Sequence, residues 1–304
     1  MKKNRKQLVI NCEKLETRVA LLNNGRLDEY QIDRDHSHEP RVNSVYLARI
    51  VNLEPNMQAA FVDIGGAKNA LLHYWDMLPA TDGMSDSIER NQTPTNTKSG
   101  PAARLKALLN GGKSSKIREN EKKRRKKKIT VKDIPNIFPA GTELLVQVTK
   151  GPIGTKGARV TTNISIPGRY LVLLPYADHI GLSSKIDNQK ERQRLRKILK
   201  ELELPEGMGM ICRTVGEGRR AVYFKRDLEM LLDFWHQVET SLERPKVPLE
   251  VYSEPTLIER TVRDFLTEDI NEIVVDSVDA YKQIKTSLSK FAGRRSAAGV
   301  KHYN

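Results

Sequence analysis

Short runs rich in apolar and β-branched residues at Gln7–Cys12 and Thr17–Leu22, and the more polar run Leu27–Ile32, read as three strands, and Asn23-Asn24-Gly25 supplies hairpin chemistry between the last two. A β-meander therefore opens the chain. After the polar connector Asp33–Pro40, the stretch Tyr46–His73 reads as strand, turn, strand, turn, strand. Tyr46–Val51 alternates, Glu54-Pro55-Asn56 turns, Gln58–Ile64 is apolar and β-branched, Gly65-Gly66 stops it, and Ala70–His73 follows. Tyr74–Met77 is expected as a short helical exit. Farther on, Glu143–Thr149 and Ala158–Ser165 are strands that would close a small antiparallel barrel begun at Tyr46.

Beyond the barrel the pattern changes. Leu171–Leu174, Ile180–Ile186 and Met210–Thr214 are short strands, while Asn188–Glu203 places Leu195, Ile198, Leu199 and Leu202 on one helical face. Arg226–Val238 carries Leu228, Leu231, Leu232, Trp235 and Val238 along one stripe, so Trp235 is expected in a core. A strand at 247–251, a helix over Thr256–Leu266, a strand at Ile273–Val275 and a helix over Val278–Leu288 then imply a small α/β unit. Strands at both chain ends suggest one discontinuous domain, made of residues 1–39 and 245–304. The barrel at 40–162 and a third segment at 163–244 would be inserted within it, giving a mixed α+β fold.

At 304 residues the chain can support two or three cores. Its net charge of +14 is concentrated: Arg104–Lys132 holds thirteen Lys and Arg against Glu119 and Glu121. The Ser-, Thr- and Asn-rich stretch Thr81–Gly100 precedes this block, so residues 82–133 are expected as a flexible basic insertion. Its run Lys122–Lys128, including Lys122, Lys123, Arg124 and Arg125, suits a polyanion; the plainer alternative is a solvated insertion. No apolar run is long enough to span a membrane, and the basic start is followed only by Leu8-Val9-Ile10, so a cytoplasmic protein is expected. Cys12 and Cys212 lack metal-ligand spacing, and His36 and His38 have no cysteine or carboxylate at metal spacing. No metal site and no cofactor is assigned to this chain.

Barrels of the oligonucleotide-binding type offer aromatics and cations to single strands. Phe61 is the candidate stacking platform, and Arg49 on the first barrel strand joins the candidate RNA contacts. Alternation alone leaves Phe61 either in the core or on the surface. The loop GPIGTKG sets Lys150 and Lys156 beside glycines that let backbone and ammonium groups approach a phosphate; no Lys-Ser/Thr pair opens a helix, so it is not a nucleotide P-loop. The words AFVDIGG and ALLH resemble the S1 motif, an RNA-binding barrel, and that resemblance favours a stacking role for Phe61.

Several stretches together resemble the ribonuclease E/G endoribonucleases: NLEPNMQAAFVDIG, GTKGARVTTNISIPGRYLVLLP, LELPEGMGMICRT and VRDFLTEDINEIVVD, in that order. The resemblance covers nearly all of the chain except the insertion. It implies an RNase H-like subdomain from both ends, an S1 barrel, and a 5′-sensor subdomain that reads a monophosphate on single-stranded RNA. Gly168, Val172, Arg213 and Thr214 fall on the family's 5′-phosphate positions, and Lys150 and Lys156 on its RNA path. Read without the resemblance, Arg213-Thr214 is an ordinary strand end. Two departures are evident: Leu71 stands where the family often has a second barrel aromatic, and Leu47 where it often has a lysine.

In the family, cleavage depends on Mg²⁺ held by aspartates beyond the stretch matching Val300–Tyr303. With the sequence ending at Asn304, no catalytic residue is assigned, and the chain is expected not to cut by itself. Two alternatives stay open: a non-catalytic RNA-binding or assembly module, and an active Mg²⁺-dependent nuclease with relocated carboxylates among Asp264, Asp269, Asp276 and Asp279. The partner expected is single-stranded RNA, with a homo-oligomer admitted and no membrane.

Overall fold

The structure is a computed structural model that describes residues 5–34, 39–78, 130–242, 246–265, 270–291 and 299–303. Lys122, Lys123, Arg124 and Arg125, like most of the basic insertion, lie outside the described residues. The strands in chain order are β1 (Lys6–Cys12), β2 (Glu16–Asn23), β3 (Arg26–Arg34), β4 (Val45–Glu54), β5 (Ala59–Asp63), β6 (Ala70–His73), β7 (Glu143–Lys150) and β8 (Arg159–Thr161). They continue as β9 (Ile166–Pro167), β10 (Leu171–Leu174), β11 (Ile180–Leu182), β12 (Gly209–Cys212), β13 (Leu249–Tyr252), β14 (Ile270–Val275) and β15 (Gly299–His302). The longer helices are α1 (Gln189–Lys200), α2 (Ala221–Ser241), α3 (Leu257–Phe265) and α4 (Val278–Phe291).

The chain divides into two compact units, residues 1–38 with 255–304, and residues 39–254. In the first, the sheet order is β15-β14-β1-β2-β3. The hairpin strands β1, β2 and β3 are antiparallel, and β14 runs parallel to both β1 and β15. This is an RNase H-like order. Alternation along β1 turns Leu8 and Ile10 into the same core as Val19, Ile273, Val262 and Ile284.

In the second unit, β4, β5, β6, β8 and β7 pair in that sequence, and β7 returns to β4, so five strands close a barrel. Closure fills the interior with Ala48, Ile50, Val62, Leu72, Val146 and Val160. The first half of β4 is apolar on both sides because it serves two cores. Tyr46, Ala48 and Ile50 point into the barrel, whereas Val45 and Leu47 point into the core that holds Trp235 and Leu171. Leu47 is 1% exposed and packs in that core, so it presents no side chain on the barrel surface.

Beside the barrel lies a four-stranded sheet in the order β11-β12-β10-β9, with α1 against β11 and α2 against β10. Helix α2 begins at Ala221, five residues before the start expected from the Leu–Trp stripe. Phe224 is the reason: it is buried one turn ahead of Leu228 and extends the stripe backwards. Another difference concerns β13. The strand expected at 247–251 within the C-terminal α/β unit pairs instead with Val45–Leu47 of β4. Its apolar side joins the Trp235 core through Val251 and Tyr252, a choice of partner that a four-residue alternation cannot encode.

Candidate nucleic-acid interface

Residues opposite one another on paired strands point to the same face of a sheet. On the barrel, the register runs Asn52 to Phe61, Phe61 to Leu71, Leu71 to Arg159 and Arg159 to Lys150. Their neighbours Ala60, Val62 and Leu72 fill the interior, so this row faces outward. Phe61 is half-buried and takes no part in the core cluster. An aromatic flanked by an amide, an arginine and a lysine is what a single strand requires: a face for a base and cations for its phosphates. Leu71, half-buried within the row, supplies apolar surface but no ring.

Arg49 and Lys156 differ in what holds them. Arg49 pairs through Nη2 with Glu143 Oε1 at 2.8 Å, so its charge is already offset. Lys156 is exposed in a tight turn closed by reciprocal backbone bonds with Ile153, at 3.1 and 3.0 Å. Lys68 Nζ fastens that turn by donating to Gly154 O at 2.6 Å. Gly157 follows where the backbone passes so close to Asn69 that a Cβ would sit 2.0 Å from its carbonyl oxygen. Only glycine fits there, and the loop carrying Lys150 and Lys156 is thereby held against the barrel.

The sequence pattern missed Trp75. It occupies the turn Tyr74–Met77, whose Tyr74 and Met77 are buried while Trp75 is 65% exposed. The next residue, Asp76, binds Arg159 Nη2 at 3.0 Å and ties the turn to the outward row. A tryptophan this exposed is unusual in a folded domain. Its signal was available in principle, because a turn that buries its first and fourth residues must expose the second.

A second constellation forms where β10 meets β12. Leu171 is opposite Cys212, so Arg213 and Thr214 leave β12 opposite Tyr170. Arg213 N–H donates to Tyr170 O at 2.8 Å, and its Nη1 donates to Gly168 O at 2.5 Å. Thr214 Oγ1 lies 3.3 Å from Ser183 Oγ, a hydroxyl the sequence reading did not include. Val172 is half-buried next to Ile211 on the side of β10 away from the core. Gly168, Arg213 and Thr214 are thus brought together, with Val172 on the strand beside them.

Asp227 of α2 shapes this turn. Its carboxylate accepts the N–H groups of Arg169, Tyr170 and Leu171 at 3.0, 2.7 and 2.8 Å. Burial pushes its carboxyl above the usual range, while the three N–H donors and the Arg213 charge pull the other way. A Cβ on Gly168 would lie 2.7 Å from Asp227 Oδ2 and 2.9 Å from Leu231 Cδ1, so the backbone there packs directly on α2. An arginine fork, a hydroxyl pair and a closely approached backbone make a place for an oxyanion.

The loop after Thr214 is held by Glu191, which binds Arg194 Nη2 at 2.6 Å and accepts Gly218 N–H at 2.8 Å. The Arg194 hydrogen bond, helped by Gly218, draws its carboxyl down to about 2. A carboxylate depressed in the folded state stabilises fully above its unfolded value and loses that contribution as pH falls through the folded value. Acidification from the ordinary value of 4.5 towards about 2 is therefore expected to weaken the fold through this group. Thermal midpoints measured across that range should fall less steeply in Glu191→Gln than in the unaltered protein; equal slopes would contradict this.

Among the described residues, no group of three His, Cys, Asp or Glu is placed to hold a metal ion. The carboxylates considered for relocated chemistry have other partners. Asp276 accepts Asn11 Nδ2 and Cys12 N–H, Asp264 pairs with Arg263, and Asp279 with Lys282. Asp269 lies outside the described residues. Asp264, Asp276 and Asp279 thus each have a partner within the fold, and none of them belongs to such a group of three. No helix among the described residues is long and apolar enough to cross a membrane.

Residues 165–304 match the sequence model of the Ribonuclease E/G family. The chain is 33% identical over 297 residues to ribonuclease G of Escherichia coli strain K12, covering 98% of this chain and 53% of that protein. With ribonuclease G of Haemophilus influenzae it shares 33% identity over 285 residues, or 94% of this chain and 50% of that one. Ribonuclease E of Escherichia coli strain K12 is 32% identical over 299 residues, 98% of this chain and 24% of its own length. The chain spans about half the length of the ribonuclease G relatives it matches.

Proposed function

The chain belongs to the ribonuclease E/G family, and from that premise we propose that residues 39–254 bind single-stranded RNA and read its 5′-terminal monophosphate. This recognition would serve endonucleolytic RNA processing and decay in the cytoplasm. The observation that carries the reading is Arg213 held on Gly168 O at 2.5 Å, with the next residue, Thr214, pairing its Oγ1 with Ser183 Oγ at 3.3 Å. A terminal phosphate carries close to two negative charges at neutral pH and three acceptor oxygens, so it profits from a fork and a hydroxyl that are already in place. The outward row of Phe61 and Lys150 would carry the strand, Arg159 being paired with Asp76 as Arg49 is with Glu143. No cleavage step is assigned to the described carboxylates.

The test compares 5′-monophosphate and 5′-hydroxyl forms of one single-stranded RNA by filter binding. The unaltered chain should prefer the monophosphate, and Arg213→Ala should remove that preference, a loss of about 1.5–3 kcal/mol for a hydrogen bond to a charged group. Affinity for the 5′-hydroxyl RNA should hardly change. Equal binding of the two RNAs by the unaltered chain would refute the end-reading function.

A further inference from the structure

One charge in this region has no evident use within the fold. Arg169, next to Gly168, is only 9% exposed, and its Nε is sealed from solvent with no hydrogen-bond partner. Its backbone N–H binds Asp227, but both oxygens of that carboxylate are taken by N–H groups of the turn. Among the described residues its guanidinium makes neither a hydrogen bond nor an ion pair. A buried, uncompensated cation is unfavourable unless an anion completes it.

The surroundings indicate where that anion comes from. The Arg169 guanidinium lies 5.2 Å from the centroid of the Tyr170 ring, and that ring is 5.9 Å from Tyr223. Arg220 in turn lies 5.9 Å from the Tyr223 centroid. Rings hold cations by their electron-rich faces but bring no countercharge. Arg213, by contrast, is engaged with the Gly168 carbonyl and faces the Asp227 charge. Two guanidinia therefore flank the turn 168–171 with different neighbours, one on the Gly168 carbonyl and one beside tyrosines.

We propose that Arg169 takes the first internucleotide phosphate of an RNA whose 5′-terminal phosphate sits at Arg213. The inference rests on the end-reading function above and adds to it a second phosphate position, one that depends on chain continuity as well as on the terminal group. A mononucleotide would fill only the first. A 5′-monophosphorylated oligonucleotide fills both, so its second linkage to the protein reports the polymer rather than the phosphate alone.

The experiment replaces single linkages of a 5′-monophosphorylated single-stranded RNA by neutral methylphosphonate, one position at a time, and measures affinity for chain 1–304. Neutralising the first linkage should weaken binding about tenfold, the loss expected for one charge-assisted contact, and more than neutralising the third. Arg169→Met, apolar and similar in length, should lose about the same factor on unmodified RNA and show no further loss with the neutral first linkage. It should still prefer a 5′-monophosphate over a 5′-hydroxyl. If Arg169→Met does not fold, the linkage scan on the unaltered chain decides by itself, since a uniform penalty at all linkages overturns the assignment. A first-linkage penalty that survives Arg169→Met overturns it too, while leaving the 5′-monophosphate preference intact. Absence of that preference in the unaltered chain would sink the end-reading function instead, so the two failures are distinguishable.

Discussion

Asp227→Ala is expected to destabilise the unit formed by residues 39–254 by about 3–5 kcal/mol, seen as a lowered denaturant midpoint with little change in slope. The carboxylate accepts three N–H groups from consecutive residues, Arg169, Tyr170 and Leu171, all buried. Alanine would leave those donors without acceptors, each at a cost of about 1–3 kcal/mol, partly relieved by relaxation. The vacated space adds a smaller penalty, because Gly168 packs directly on the missing group. Asp227→Asn keeps the size and one acceptor oxygen, so its loss should be about half as large. An alanine variant within about 1 kcal/mol of the parent would show that the turn finds other acceptors, and the account of how Arg213 is positioned would fail with it.

Phe61→Ala should weaken single-stranded RNA binding by about 1–3 kcal/mol, a factor between roughly 5 and 150, without unfolding the barrel. Phe61 stands on the outer row opposite Asn52 and Leu71, outside the interior cluster, so its removal leaves no internal cavity. Stacking releases no counterions. The slope of log affinity against log salt should accordingly stay unchanged, whereas removal of a phosphate-binding lysine would reduce it by about one. The measurement is a salt titration of binding alongside a thermal melt. A fall in stability of about 3–5 kcal/mol, typical of a core phenylalanine, combined with unaltered affinity would assign Phe61 to packing instead.

Local pattern determined a good deal of this protein. The hairpin at Asn23–Gly25, the strand–turn–strand run ending at His73, the strand after Gly141 and the Leu–Trp stripe of α2 all follow from short-range periodicity and turn chemistry, which neighbouring residues settle among themselves. The resemblance in the words around Phe61 and Arg213 likewise lay in the sequence, because a backbone packed as closely as at Gly157 and Gly168 restricts which residues can stand there.

What the sequence could not convey is which partners distant segments find. Alternation made Leu47 a strand residue, yet only the packing of two cores on either side of β4 turned it away from the barrel surface. The same holds for β13, whose four residues fit either sheet until β4 offers an edge. β15 was not expected as a strand, since only pairing with β14 makes one of Gly299–His302. Charge is subject to the same limit. Arg49, Arg169 and Arg213 are alike in composition, but one is offset by Glu143, one binds the Gly168 carbonyl, and one is buried without a carboxylate among the described residues. Electrostatic energy depends on separation and burial, which are properties of the folded chain, so the tertiary structure alone decided how far each of these charges is offset.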